Sequence, residues 1–134
     1  MSIQNALSTA IETIPDCIAA GYIDMETGML LGSSVSEPEC TESLDNLSIA
    51  VANLFQGRGV AAFEALLRDA GGDDEAQNTG FGEIAVFSKD RLNIFLRTKE
   101  YPDHVVCYIC RNSANVGLAL TKSHLSLGSV AAAV

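Results

Sequence analysis

The residues best equipped for chemistry are four cysteines, Cys17, Cys40, Cys107 and Cys110, two of which stand three apart in Cys107-Tyr108-Ile109-Cys110. Thiols at that spacing can exchange disulfides or supply two zinc ligands. A redox pair of this kind opens a helix, whose N-terminus lowers the thiol pKa, and a zinc pair sits on a tight turn. Here the pair lies inside an apolar run that reads as a strand, where residues three apart point to opposite faces. It therefore reads as two small core residues. A thiol-dependent enzyme or a zinc module using Cys107 and Cys110 is the minor alternative. Cys17 opens the first predicted strand and Cys110 ends the last, so an antiparallel neighbourhood can bring them together, although their spacing alone assigns them no joint task.

The other polar groups offer less. His104 and His124 match no zinc signature and read as surface or helix-face residues. A cysteine nucleophile with His104 as base has no third orienting group and no oxyanion motif beside it. Gly57-Arg58-Gly59 lacks the downstream Lys and Ser or Thr of a phosphate loop; it reads as a kink or a packing contact, with Arg58 offered to a partner as the minor reading. Asp73-Asp74-Glu75 lacks the spaced ligands and central Gly of a calcium loop, so residues 71–80 read as a solvated acidic loop. No catalytic residue, metal or cofactor is expected.

Bulk properties bound what these residues can belong to. The 134 residues suffice for one domain with a hydrophobic core. Trp is absent and aromatics are 6%, so Ala, Val, Ile and Leu must build that core. Seventeen acidic against eight basic side chains give a net charge of −9, which repels nucleic acid and anionic bilayers and favours solubility or a basic partner. The first fourteen residues carry no Lys or Arg and do not resemble a secretory signal. No stretch approaches the roughly 20 apolar residues of a membrane span. A cytoplasmic protein with reduced thiols is expected.

The elements that would position these groups follow from periodicity. Ile3, Leu7, Ala10, Ile11 and Ile14 recur at helical spacing until Pro15, predicting a helix over 2–14. Apolar runs over 17–24 and 28–34 flank Asp24-Met25-Glu26-Thr27-Gly28, a hairpin connection. After a polar loop containing Pro38, Thr41 or Ser43 can cap a long helical segment. Leu44, Leu47, Val51, Leu54, Ala62 and Leu66 form its stripe, which Ala50, Phe55, Ala61 and Phe63 widen beyond what one sheet face demands. Gly57 and Gly59 interrupt it, each costing about 1 kcal/mol relative to Ala. The helix therefore kinks there, or admits another backbone. Three strands follow, over 83–88, 92–98 and 104–110, and Asn112 or Ser113 can cap a final helix. The order is α-β-β-α-β-β-β-α: an α/β protein of the α+β type, in which two antiparallel meanders join into one sheet flanked by helices.

The chain resembles the roadblock/dynein light chain family. The resemblance rests on Ile18-Ala19-Ala20-Gly21-Tyr22-Ile23-Asp24 followed by Gly28-Met29-Leu30-Leu31, on Ser113-Ala114-Asn115-Val116-Gly117-Leu118 at the start of the last helix, and on the order of elements over nearly the whole chain. It implies a profilin/roadblock-like five-stranded antiparallel sheet with the long helix on one side. It implies a homodimer formed by that helix and the strand after it, joining two sheets. It further implies a protein without catalytic activity that serves motor or polarity complexes or acts as regulator or scaffold for small Ras-like GTPases. Carried over, the helix from Leu44 to Leu67 and the strand from Glu83 to Ser88 form the self-association surface, with Leu44, Leu47, Val51, Leu54, Phe55, Arg58, Ala62, Leu66, Ile84 and Val86 as its contact residues. The surplus apolar width of the long helix agrees with such a surface. A small-ligand sensor, with a pocket between sheet and helices, is the alternative.

Overall fold

Pro15 cannot continue a helix, and it marks the first boundary in the structure, a computed structural model that describes residues 2–71 and 82–134. Helix α1 (Ile3–Thr13) is capped by Ser2, whose hydroxyl accepts from the Asn5 amide, and it buries Ala6, Leu7 and Ala10. The chain then reverses through Asp16, the one non-glycine residue with positive φ among those described, at 57°.

Strands β1 (Cys17–Asp24) and β2 (Met29–Val35) form the expected hairpin. Gly28 closes its turn at φ 74°, where a side chain would be strained, and Asp24 Oδ1 accepts from the Glu26 amide. Strands β3 (Glu83–Phe87), β4 (Arg91–Arg97) and β5 (His104–Arg111) form the second meander. The two meanders join through β1 and β5, giving one five-stranded antiparallel sheet in the order β2-β1-β5-β4-β3. The central strands β1 and β5 are buried almost throughout because helices cover both faces.

Those two faces define two cores. On one, Leu7 and Ala10 of α1 and Ala119 and Val130 of α4 (Val116–Ala132) enclose Tyr22, Ile94, Leu96, Tyr108 and Cys110. On the other, one helix among the described residues packs against the cluster of Ile18, Ile23, Phe95, Val105 and Cys107. That helix, α2 (Cys40–Gln56), spaces Cys40, Leu44, Ser48, Val51 and Phe55 on its buried side.

The interrupted helical segment is two helices. At Gly57 the backbone turns extended, with φ −68° and ψ 167°, and α3 (Arg58–Gly71) starts anew. The main neighbour of α3 is the end of α2 rather than the sheet. Two expected caps also differ. Glu39 occupies the N-cap of α2 without a side-chain bond, so neither Thr41 nor Ser43 serves. Asn115 caps α4 by accepting from the Leu118 amide, because residues 111–114 are taken up by a turn in which the Ala114 amide donates to the Arg111 carbonyl. The acidic stretch 71–80 lies, apart from the backbone of Gly71, outside the described residues.

Candidate interaction surface

Ten residues were expected to form a self-association surface, and the break at Gly57 divides them. Leu44, Val51 and Phe55 are at most 2% exposed. They belong to the core that α2 makes with the sheet. In the single chain those three face inward, because α2 packs one stripe on the sheet beneath it. Leu47 and Leu54 are half-buried at the rim of that core. Arg58 opens α3, and its side chain lies outside the described residues.

Beyond the break the pattern inverts. Ala62 is exposed and Leu66 is 66% exposed. Two further side chains of the same stretch join them, Phe63 at 54% and Leu67 at 51%. Positions 63, 66 and 67 are neighbours on one helix face. Their signal in the sequence is Gly57 itself: once the helix restarts, the phase of the apolar residues after it is independent of the face buried before it.

The remaining two residues lie on the edge strand β3. Ile84 is half-buried against the α2 core, while Val86 is 37% exposed and its neighbour Phe87, on the opposite face, 65%. β3 pairs with β4 on one side and, among the described residues, with no strand on the other. Its outer backbone groups are thus a template for another strand. Glu83 anchors the strand to α4, its carboxylate 3.1 Å from His124 Nε2, a half-exposed pair that adds little stability.

Charge links α3 to the sheet at Arg97. The Arg97 guanidinium, at the end of β4, sits 5.2 Å above the Phe55 ring. Burial lowers its pKa, and the carboxylates of Glu64 in α3 and Asp103 oppose that shift.

The residues considered for chemistry are placed differently. Cys107 and Cys110 belong to opposite cores, as strand geometry requires, so they cannot share a metal or a disulfide. Burial pushes the Cys107 thiol up to about 12, leaving it protonated at neutral pH. Among the described residues no three His, Cys, Asp or Glu side chains converge in a way that could hold a metal ion. His104 is half-buried rather than a plain surface residue. Its Nδ1 lies 2.8 Å from the Tyr22 hydroxyl, and its ring stacks on Tyr101 at 4.8 Å. Between the β3–β4 end of the sheet and α4 lies a cavity of about 520 Å³ lined by Leu96, Thr98, Pro102 and Leu127 together with the Glu83–His124 pair. The Thr98 hydroxyl on its wall is already bonded to Tyr101 as donor and acceptor. No described helix is long and apolar enough to cross a membrane.

No protein-family sequence model and no curated protein matches the chain. Its structure nevertheless resembles solved ones over nearly its full length. A Roadblock/LC7 domain from Streptomyces avermitilis superposes with TM-score 0.66 at 13% identity, covering 97% of this chain and 95% of that one. MglC from Myxococcus xanthus gives 0.65 at 15%, with 100% of each chain covered. The gliding protein MglB from Thermus thermophilus gives 0.69 at 18%, covering 98% of this chain and 87% of that one. What this chain shares with them is the fold: a roadblock/LC7 sheet and its helices.

Proposed function

We propose that this chain is a non-catalytic interaction module that pairs with a second copy of itself through α3 and the open edge of β3, the dimer serving as regulator or scaffold for a small Ras-like GTPase. The observation that carries the dimer is α3, which turns Phe63, Leu66 and Leu67 outward at more than half exposure. An isolated helix of 14 residues is marginal in water, where stable helices need roughly 12–15 residues and a good sequence. Among the described residues α3 rests mainly on α2, and a partner surface would cover the apolar face that it leaves exposed. A two-fold operation lays the same apolar face on its copy and sets two β3 edges side by side, covering both features at once.

The test is sedimentation velocity at micromolar concentration. The wild type is expected at the mass of two chains, and Leu66→Asp at that of one, with dimer affinity lower by at least about tenfold, the size of a hot-spot loss. A wild type that stays monomeric throughout the micromolar range would sink the reading.

The GTPase clause rests on the fold resemblance and on a charge of −9, which favours a partner with a basic face. Titration of the purified dimer with small Ras-like GTPases from the same source, in both nucleotide states, tests it separately. Absence of binding to all of them removes the clause and leaves the dimer. The cavity beside α4 favours a ligand sensor less, since its buried hydroxyl is already satisfied within the chain.

A further inference from the structure

Away from the α2 and α3 surface, two thiols meet at the end of the central ladder. Cys17 and Cys110 are direct partners in the β1–β5 register, and both side chains lie in the core beneath α1 and α4. The Arg111 amide donates to the Asp16 carbonyl at 3.0 Å. This bond flanks the pair on one side, and the register shift between Cys17 and Ala19 flanks it on the other. Directly opposed residues of an antiparallel ladder have Cα atoms about 4.5–5.5 Å apart. That spacing lies within the roughly 4.4–6.8 Å that a disulfide spans.

We propose that Cys17 and Cys110 are a cross-strand dithiol that closes reversibly to a disulfide when the protein meets hydrogen peroxide. The Cys17 thiol donates to the Ala19 carbonyl at 3.4 Å, and the mutual interaction of the two sulfurs raises the pKa of Cys17 and lowers that of Cys110, so Cys110 is the first to ionise. Its thiolate attacks one peroxide oxygen. The O–O bond breaks, and the departing hydroxide takes up the proton that Cys110 released, giving water and a Cys110 sulfenic acid. Cys17 then attacks that sulfur. The S–O bond breaks, and the hydroxyl leaves with the Cys17 proton as a second water. Two thiols have lost two electrons, and the peroxide has gained them.

Access comes from the place of the rung. It is the last of the β1–β5 ladder, the register shifts between Cys17 and Ala19, and Asp16 just before it holds a left-handed conformation at φ 57°. Ends of ladders open at low free-energy cost, and the strain at Asp16 favours opening there. Cys17 retains 7% exposure even when closed, whereas Cys110 and Cys107 have none, so peroxide reaches Cys110 only when this end of the ladder opens. The bridge would tie the α1–β1 junction to the β5–α4 junction and close residues 17 to 110 into one loop. It lies across the sheet from α2, so the proposal does not depend on the dimer.

The experiment treats the native full-length chain with peroxide, quenches it with acid, and alkylates it after denaturation. Two of the four thiols should resist alkylation, and peptide mapping should join Cys17 to Cys110. The bridged protein should melt higher by on the order of 10 °C, because the closed loop is long, and dithiothreitol should reverse both changes. Cys17→Ala should retain no bridge, and Cys40→Ala should form it unchanged. Four alkylated thiols after oxidation, a bridge to Cys40 or Cys107, or a bridged protein that melts no higher would each overturn the proposal. Mapping of the wild type decides the matter even if a variant fails to fold.

Discussion

Helices α2 and α3 arise from one continuous helical pattern, yet they do opposite things with their apolar residues. α2 commits its stripe to the sheet: Leu44, Val51 and Phe55 are closed off within one chain. α3 has a comparable stripe and turns Phe63, Leu66 and Leu67 to the outside. Composition cannot separate the two helices, since both are amphipathic. What separates them is whether the sheet lies underneath, and the extended residue at Gly57 decides that. The sheet face is a fixed area, and among the described residues α2 takes its β1–β2 end.

The sharpest way to break this comparison is to truncate one side chain from each helix. Phe55→Ala removes a ring that is 2% exposed and carries Arg97 on its face, and it should cost about 3–5 kcal/mol of stability by urea unfolding. Leu66→Ala, measured at a concentration where the wild type is monomeric, should change stability by less than about 0.5 kcal/mol. At high concentration it should weaken self-association instead. Equal losses for both, concentration-independent, would mean that α3 is as much part of the single-chain core as α2.

Much of this division could be read from the sequence, and the reason some of it could not is physical. Strand boundaries fell within a residue or two because β1 and β5 are apolar runs bounded by Pro15, by Asp24 to Gly28 and by Pro102, and such punctuation acts locally. The break at Gly57 and Gly59 was visible for the same reason. What local pattern does not contain is the area of the sheet. Whether Val51 or Leu66 meets it depends on the joining of β1 to β5, a contact between residues far apart in the chain, such as Cys17 and Cys110. The caps failed for a related reason: Asn112 and Ser113 are sound caps in isolation, but Asn112 Nδ2 donates to the Lys89 carbonyl and the chain is still turning.

A second test concerns the layer under α2. Burial raises Cys107 from 9.0 to about 12 in the folded chain. The folded state therefore holds its proton more tightly than the unfolded state does. The stability linked to that proton is complete below pH 9 and is lost as pH rises towards 12, at up to about 1.4 kcal/mol per pH unit. Cys107→Ala should be less stable at neutral pH yet lose less between those limits. Parallel pH curves for variant and wild type would show that the α2 layer admits water and is no drier than the surroundings of α3.

The smallest effect tests the break itself, through two glycines that look equivalent in Gly57-Arg58-Gly59. A Cβ at Gly57 would lie 2.8 Å from the Asn53 carbonyl oxygen, a backbone atom held in place by α2. One at Gly59 would meet nothing within 4 Å and would sit on a helical residue of α3. Alanine at 59 should therefore stabilise the protein by about 0.5–1 kcal/mol, through helix propensity and a less free unfolded chain. At 57 it should cost about 1 kcal/mol, since the contact must be relieved by moving backbone and the extended turn is then contested by helix. Opposite signs in thermal unfolding place the discontinuity at Gly57 alone. A gain at both positions would mean that the segment prefers one straight helix, and that the outward face of α3 comes from its length rather than from the break.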